Sequence, residues 1–172
     1  MTMNDLYISW SEYHQLIESL ATQIYQSCWE FDQIVCLARG GLRIGDILSR
    51  IYDKPLGILS TSSYTGEGGK IQGELKIASH VTMTTETLEG QILLVDDLVD
   101  SGISLEQSIL WFQQHYPQIT EIRTAVLWYK SCSTFQPDYY VTYLSNNPWI
   151  HQPFEQYEQM NLAEVGKILD PA

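Results

Sequence analysis

The spacing of apolar residues changes period several times along this chain. Tyr13, Leu16, Ile17, Leu20 and Ile24 recur at three- and four-residue intervals, the stripe of an amphipathic helix. Ser9 and Glu12 stand just ahead of it at capping-box spacing, and the helix is expected to end near Cys28. Periodicity then gives way to a continuous apolar run, Ile34-Val35-Cys36-Leu37-Ala38, which predicts a short strand buried on both faces. Arg39-Gly40-Gly41 breaks that run, a helix is predicted over 42–52, and 55–59 reads as a second strand. A further buried strand is predicted over 91–95, followed by a helix over 104–116 with Leu105, Ile109 and Phe112 on one face and Pro117 just beyond it. Residues 121–129 and 139–143 complete the strands.

Two stretches stand apart. Residues 60–79 are rich in Ser, Thr and Gly, and they predict a mobile excursion, partly an antiparallel ribbon, of the kind that serves as a lid. The tail over 146–158, with Pro148 and Pro153, reads as irregular, and a short helix is expected over 162–169.

Strands alternating with helices imply an α/β fold, a mainly parallel, Rossmann-like sheet flanked by helices. In such sheets ligands bind beyond the carboxyl ends of the strands. Arg39-Gly40-Gly41, the residues from Asp96 to Ser104, and Lys130 all follow strands, so the pattern brings three distant segments to one edge.

Length and composition narrow the class. The 172 residues suit one domain with a full core, and 44% apolar with 17% charged residues suits a folded chain rather than a disordered one. No apolar run approaches the ~20 residues of a membrane span, and the start has no signal-peptide character. Cys28, Cys36 and Cys132 show no CxxC spacing, which supports neither a disulfide framework nor a zinc site. Cys36 reads as a core thiol, and a cytoplasmic location is expected. The net charge of −12 opposes nucleic-acid binding. Arg39, Arg43, Lys70, Lys76 and Lys130, five of the nine basic residues, nevertheless lie in or beside the candidate site segments.

The most informative run is Ile92-Leu93-Leu94-Val95-Asp96-Asp97-Leu98-Val99-Asp100-Ser101-Gly102-Ile103-Ser104. Carboxylates accept from the hydroxyls of a sugar diol. A glycine loop at a helix start offers backbone N–H groups and the positive end of the helix dipole to a phosphate. A ligand that is both sugar and phosphate satisfies the two together.

This run resembles the signature by which type I phosphoribosyltransferases bind 5-phosphoribosyl-1-pyrophosphate (PRPP). The resemblance extends to Tyr7-Ile8-x-Trp10, Ala38-Arg39-Gly40-Gly41-Leu42, Ser62-Ser63-Tyr64, Glu74-Leu75-Lys76, Lys130 and Trp149-Ile150-x-Gln152-Pro153. It implies the type I phosphoribosyltransferase fold over 1–172 as a single domain, with a flexible lid loop at about 61–80 and a small hood segment at about 146–158. Asp96 and Asp97 would hold the ribose. Asp100, Ser101, Gly102, Ile103 and Ser104 would hold the 5′-phosphate. Arg39 and Gly40 match the pyrophosphate loop, where the family has a non-proline cis peptide. Lys130, Trp149 and Ile150 match the base pocket of the six-oxopurine enzymes, with Lys130 donating to the exocyclic oxygen and Trp149 stacking. Ser63 and Tyr64 match the lid's characteristic pair, and Lys70 and Lys76 are its basic residues.

The same resemblance implies Mg2+ carried by the pyrophosphate, near Asp97 and, through water, near Glu155. Asp100 matches the carboxylate placed near the base as general base or charge stabiliser. The implied reaction joins PRPP and guanine, xanthine or hypoxanthine to give a nucleoside monophosphate and pyrophosphate, in purine salvage, by a homodimer or homotetramer. The chain departs from the family at Gly73, where an arginine contacting the pyrophosphate stands directly before Glu-Leu-Lys. Two alternatives stay open: a phosphoribosyltransferase for another base, and a non-catalytic regulator that senses PRPP or nucleotides.

Overall fold

The structure, a computed structural model, describes residues 5–65 and 72–162. In chain order its elements are β1 (Leu6–Tyr7), α1 (Trp10–Gln26), β2 (Gln33–Ala38), α2 (Leu42–Tyr52), β3 (Leu56–Thr65), β4 (Gln72–Ile77), β5 (Gly90–Val95), β6 (Leu98–Val99), α3 (Ile103–His115), β7 (Ile119–Lys130), β8 (Tyr139–Leu144), β9 (Ile150–His151) and α4 (Gln156–Gln159). They fall into two compact units, one spanning residues 16–147 and the other formed by the chain's two ends, 1–15 and 148–172.

The larger unit is built on a seven-stranded sheet in the order β4-β3-β2-β5-β7-β6, with β8 paired to β7. All its pairings are parallel except β3 with β4. The apolar runs of β2 and β5 lie at its centre, where Ile34–Leu37 and Ile92–Val95 are buried. Val35, Leu37, Leu59, Leu94 and Val126 of the sheet pack with Leu105 and Phe112 of α3 in one core cluster. Gly45 lets α2 lie directly on β2: a side chain there would meet the Cβ of Cys36. Cys36 is a core thiol, as expected, and its burial pushes the thiol up to about 12.

The strand read as 55–59 runs on to Thr65. Its Ser/Thr-rich half pairs antiparallel with β4, placing Thr61 opposite Ile77 and Ser63 opposite Leu75. The backbone ladder with β4 extends this strand through residues that carry no apolar pattern, so hydrophobic patterning ends it early. The tip of the excursion, with Lys70, lies outside the described residues. The helix expected over 104–116 begins one residue sooner, at Ile103.

In the smaller unit the capping box forms: Glu12 N–H donates to Ser9 Oγ at 3.2 Å, and Ser9 N–H donates to Glu12 Oε2 at 2.8 Å. The tail is less irregular than its prolines imply. Ile150–His151 pairs in parallel with Leu6–Tyr7, with Leu6 N–H donating to Trp149 O at 2.8 Å and Ile8 N–H to His151 O at 3.0 Å. Of the helix expected over 162–169, all but the first residue lies outside the described residues.

Candidate active site

Four parallel strands, β2, β5, β6 and β7, run towards one edge of the sheet. Cys36 of β2 is in register with Val95 of β5, Val95 with Ala125 of β7, and Val99 of β6 with Tyr129 of β7. The loops leaving these strands build the site.

After β2, the Ala38–Arg39 peptide is cis, and Arg39 is exposed. Gly41 N–H donates to Leu37 O at 2.8 Å, and α2 starts at the next residue. The two glycines are tight for different reasons. A Cβ on Gly41 would strike the carbonyl oxygens of Val95 and Leu37, whereas one on Gly40 would strike the carboxylates of Asp97 and Asp96. The Arg39 loop is therefore packed directly onto the acidic pair.

Asp96 and Asp97 are partly buried at the end of β5. Asp97 N–H donates to Asp96 Oδ1 at 2.9 Å, and Leu98 N–H donates to Asp97 Oδ1 at 2.8 Å. Leu127 N–H donates to Asp97 O at 2.9 Å, which ties the pair to β7. Loss of solvation, and then the neighbouring Asp97 charge, hold the Asp96 carboxyl well above the usual carboxylate range; N–H groups of Asp97 and Gly41 offset this only in part.

The chain then turns through Asp100 to Ser104. Gly102 has φ 89°, and any Cβ there would collide with Phe135 and Ser133, so this position needs glycine on two counts. It caps α3 with no side-chain cap bond; Ser104 already lies within the helix. Ser101 Oγ accepts weakly from Ile103 N–H at 3.4 Å. The loop walls a cleft of about 210 Å³ lined by residues 96–102 with Ser104 and Leu105. The starts of α2 and α3 follow two of these strand ends, bringing positive helix ends to the carboxyl edge of the sheet.

Lys130 ends β7. It is buried, and its Nζ lies 3.3 Å from Asp100 Oδ2. A buried ammonium needs such a partner. Sequence reasoning did not anticipate Cys132, whose Sγ lies 3.2 Å from the other carboxylate oxygen of Asp100. Only its nearness to Lys130 in sequence hinted at a place here.

Thus Arg39, Gly40, Asp96, Asp97, residues 100–104 and Lys130 come together in the larger unit. On its β3–β4 ribbon, Ser63 and Tyr64 lie in β3, and Gly73 and the exposed Lys76 lie in β4. Trp149, Ile150 and Glu155 belong to the smaller unit. There Trp149 is 62% exposed while Ile150 is buried. His151 stacks on Tyr7, with ring centroids 4.3 Å apart, and pairs with Asp5 at 3.0 Å; Glu155 lies 3.8 Å from its Nδ1.

Among the described residues no group of three or more His, Cys, Asp or Glu side chains is arranged to hold a metal. The acidic pair instead offers a few hard carboxylate oxygens. Such a donor set fits a cation that keeps its waters and is held mainly by phosphate oxygens, as Mg2+ is, rather than a resident metal in a cage. No described helix is long and apolar enough to cross a membrane.

This architecture defines a class: a parallel α/β sheet with an acidic pair, a glycine turn opening a helix and a buried lysine at its carboxyl edge. The chain belongs to the phosphoribosyl transferase domain family, which matches residues 9–159. It is 30% identical over 149 residues to a xanthine-guanine phosphoribosyltransferase of Gluconobacter oxydans, covering 86% of this chain and 83% of that one. A xanthine-guanine phosphoribosyltransferase of Ruegeria is 28% identical over 164 residues, covering 87% and 84%. Among solved structures, the xanthine-guanine-hypoxanthine phosphoribosyltransferase of Helicobacter pylori superposes with a TM-score of 0.72 at 28% identity, covering 93% of this chain and 99% of that one. A purine phosphoribosyltransferase from Pyrococcus horikoshii gives 0.69 at 29% identity, covering 88% and 94%.

Proposed function

We infer that this protein is a purine phosphoribosyltransferase that transfers the 5-phosphoribosyl group of PRPP to guanine, xanthine or hypoxanthine, releasing pyrophosphate. The observation that carries the reading is the convergence, within one unit, of the Asp96–Asp97 pair, the Gly102 turn at the start of α3 and the buried Lys130.

In this reading Asp96 and Asp97 accept from the ribose hydroxyls. Asp96, whose carboxyl is held high by burial and by Asp97, gains most from donors or a cation brought in by the substrate. Backbone N–H groups of residues 100–104 and the hydroxyls of Ser101 and Ser104 receive the 5′-phosphate at the N-terminus of α3. Arg39 and Gly40 face the pyrophosphate. The bond from the ribose carbon to pyrophosphate breaks with its electron pair leaving on the pyrophosphate, and a bond to a purine nitrogen forms. Asp100 takes up or steadies the proton that the base gives up. Lys130, a donor with no acceptor, selects a carbonyl on the base over an amino group. In the hood, Trp149 offers an exposed ring for stacking and Ile150 its backbone. Ser63, Tyr64 and Lys76 belong to the lid that excludes water from the activated sugar. Asp97, and Glu155 through water, would hold Mg2+ carried in with PRPP, and the cation would supply neutralising charge for the leaving group. The enzyme works as one domain in a cytoplasmic homodimer or homotetramer.

The test is pyrophosphate release from PRPP and Mg2+ with each base. Release with at least one of guanine, xanthine and hypoxanthine, and not with adenine or orotate, is expected. No release with any of the three would overturn the reading.

A further inference from the structure

The connection from β7 to β8 carries none of the family signature, yet it grips the phosphate loop at three successive residues. Cys132 Sγ lies 3.2 Å from Oδ1 of Asp100 and 3.5 Å from its carbonyl oxygen. Thr134 donates to Ser101 O through both its N–H and its Oγ1, each at 3.3 Å. Ser133 and Phe135 fill the space that a side chain on Gly102 would need. The connection is itself anchored. Cys132 N–H donates to Asn147 Oδ1 at 3.2 Å, and Ser131 Oγ bonds to the same oxygen at 3.1 Å and to Ser145 O at 3.0 Å.

We propose that residues 131–135 form a strap that holds the Asp100–Gly102 loop in its binding conformation, with Cys132 as the positioning residue that fixes the Asp100 carboxylate. This rests on the reading of Asp100 as the carboxylate that serves the base. The two oxygens of Asp100 are taken by two different donors: Oδ2 by the ammonium of Lys130 and Oδ1 by the thiol of Cys132. One donor alone leaves a carboxylate free to rotate; two, on opposite oxygens, set its plane. A thiol serves only while it carries its proton. Loss of solvation, followed by the Asp100 carboxylate it bonds, pushes the Cys132 thiol up and keeps it a donor at neutral pH. Lys130 is the opposing influence on that thiol. Asp100 keeps an exposed side chain for the ligand, so the strap orients it from behind without covering it.

The test uses the full chain with Cys132→Ala and Cys132→Ser. With PRPP, Mg2+ and guanine, the alanine variant is expected to lose about 3–10-fold in kcat, the scale of one hydrogen bond, with the KM for PRPP within about twofold. Serine, which also donates a hydrogen bond, is expected to restore kcat. A second measurement needs no turnover. In a Cys28→Ser background, the pH midpoint for alkylation of Cys132 by iodoacetamide falls when Asp100→Asn is added. An alanine variant with parental kcat overturns the proposal, as does a serine variant no better than alanine or an alkylation midpoint that Asp100→Asn leaves unchanged. An inactive parent protein would count against the proposed function alone, and the alkylation midpoint would still decide the contact.

Discussion

Lys130 Nζ lies 3.3 Å from Asp100 Oδ2, joining the end of β7 to the loop after β6 across thirty residues of chain. The partners differ in exposure: the lysine side chain is 8% exposed and the aspartate 58%. The buried member is thus held by the exposed one, at the place where a ligand would reach both.

If Lys130 recognises the exocyclic oxygen, Lys130→Met should keep the volume and lose the donors. We expect kcat/KM for guanine to fall by about 10–100-fold, the worth of a hydrogen bond to a charged group, with the KM for PRPP changed less than about threefold. Steady-state kinetics with each substrate varied would show this. An unchanged KM and kcat for the base would remove Lys130 from base recognition.

The adjacent glycines should separate binding from folding. In Gly41→Ala the new methyl meets backbone oxygens of β2 and β5, which cannot swing aside. Overpacking of this kind costs about 1–3 kcal/mol, and each kcal/mol lowers Tm by about 2–4 °C in a chain of this size. In Gly40→Ala the methyl meets the carboxylates of Asp97 and Asp96, which can rotate away. That variant should melt within a degree or two of the parent on the same scale yet bind PRPP weakly, because the displaced carboxylates are the proposed ribose acceptors. Calorimetric melting and PRPP titration of both variants make the comparison; equal destabilisation by the two would contradict it.

Cys36 should govern part of the alkaline stability. Its thiol is pushed up to about 12 in the folded protein, against about 8.5 for a free cysteine. A raised pKa means the stabilising preference for the neutral form is complete below about pH 8.5 and is lost as pH climbs towards 12. Relative to Cys36→Ala, the parent should therefore lose stability from about pH 9 upward, approaching about 1.4 kcal/mol per pH unit. Parallel denaturation of both proteins across this range gives the difference, and a flat one would refute the assignment.

Gly73 stands on β4, at the position where the resemblance to six-oxopurine phosphoribosyltransferases implies an arginine. Gly73→Arg should restore a charged donor to the lid and lower the KM for PRPP by about 3–10-fold, the range of a charge-assisted hydrogen bond at a solvated site. A KM that stays put would show that an arginine at this position adds nothing to PRPP binding.

Much of this architecture can be read from the chain because continuous apolar runs are rare outside buried strands. Ile34–Leu37 and Ile92–Val95 announce both their burial and their direction, since the residues that follow each run are the polar and glycine residues of the site. Shorter or polar elements lack such a signal. Leu98–Val99 is a strand only because Trp128 and Tyr129 lie alongside. The Ser/Thr half of β3 exists through its ladder with β4, and Ile150–His151 through its pairing with Leu6–Tyr7. Cys132 shows the same limit in the site itself. Its spacing supports neither a disulfide framework nor a zinc site, and its contact with Asp100 arises only when the connection after β7 folds back over the loop after β6.

The most direct measurement is a one-pot competition. The protein is given PRPP and Mg2+ with guanine, xanthine, hypoxanthine and adenine at equal concentration, and the nucleotides formed are identified by mass. Monophosphates of one or more of the three oxopurines should appear in step with pyrophosphate, with no adenine nucleotide. Adenine nucleotide as the main product, or no nucleotide at all, would contradict the account.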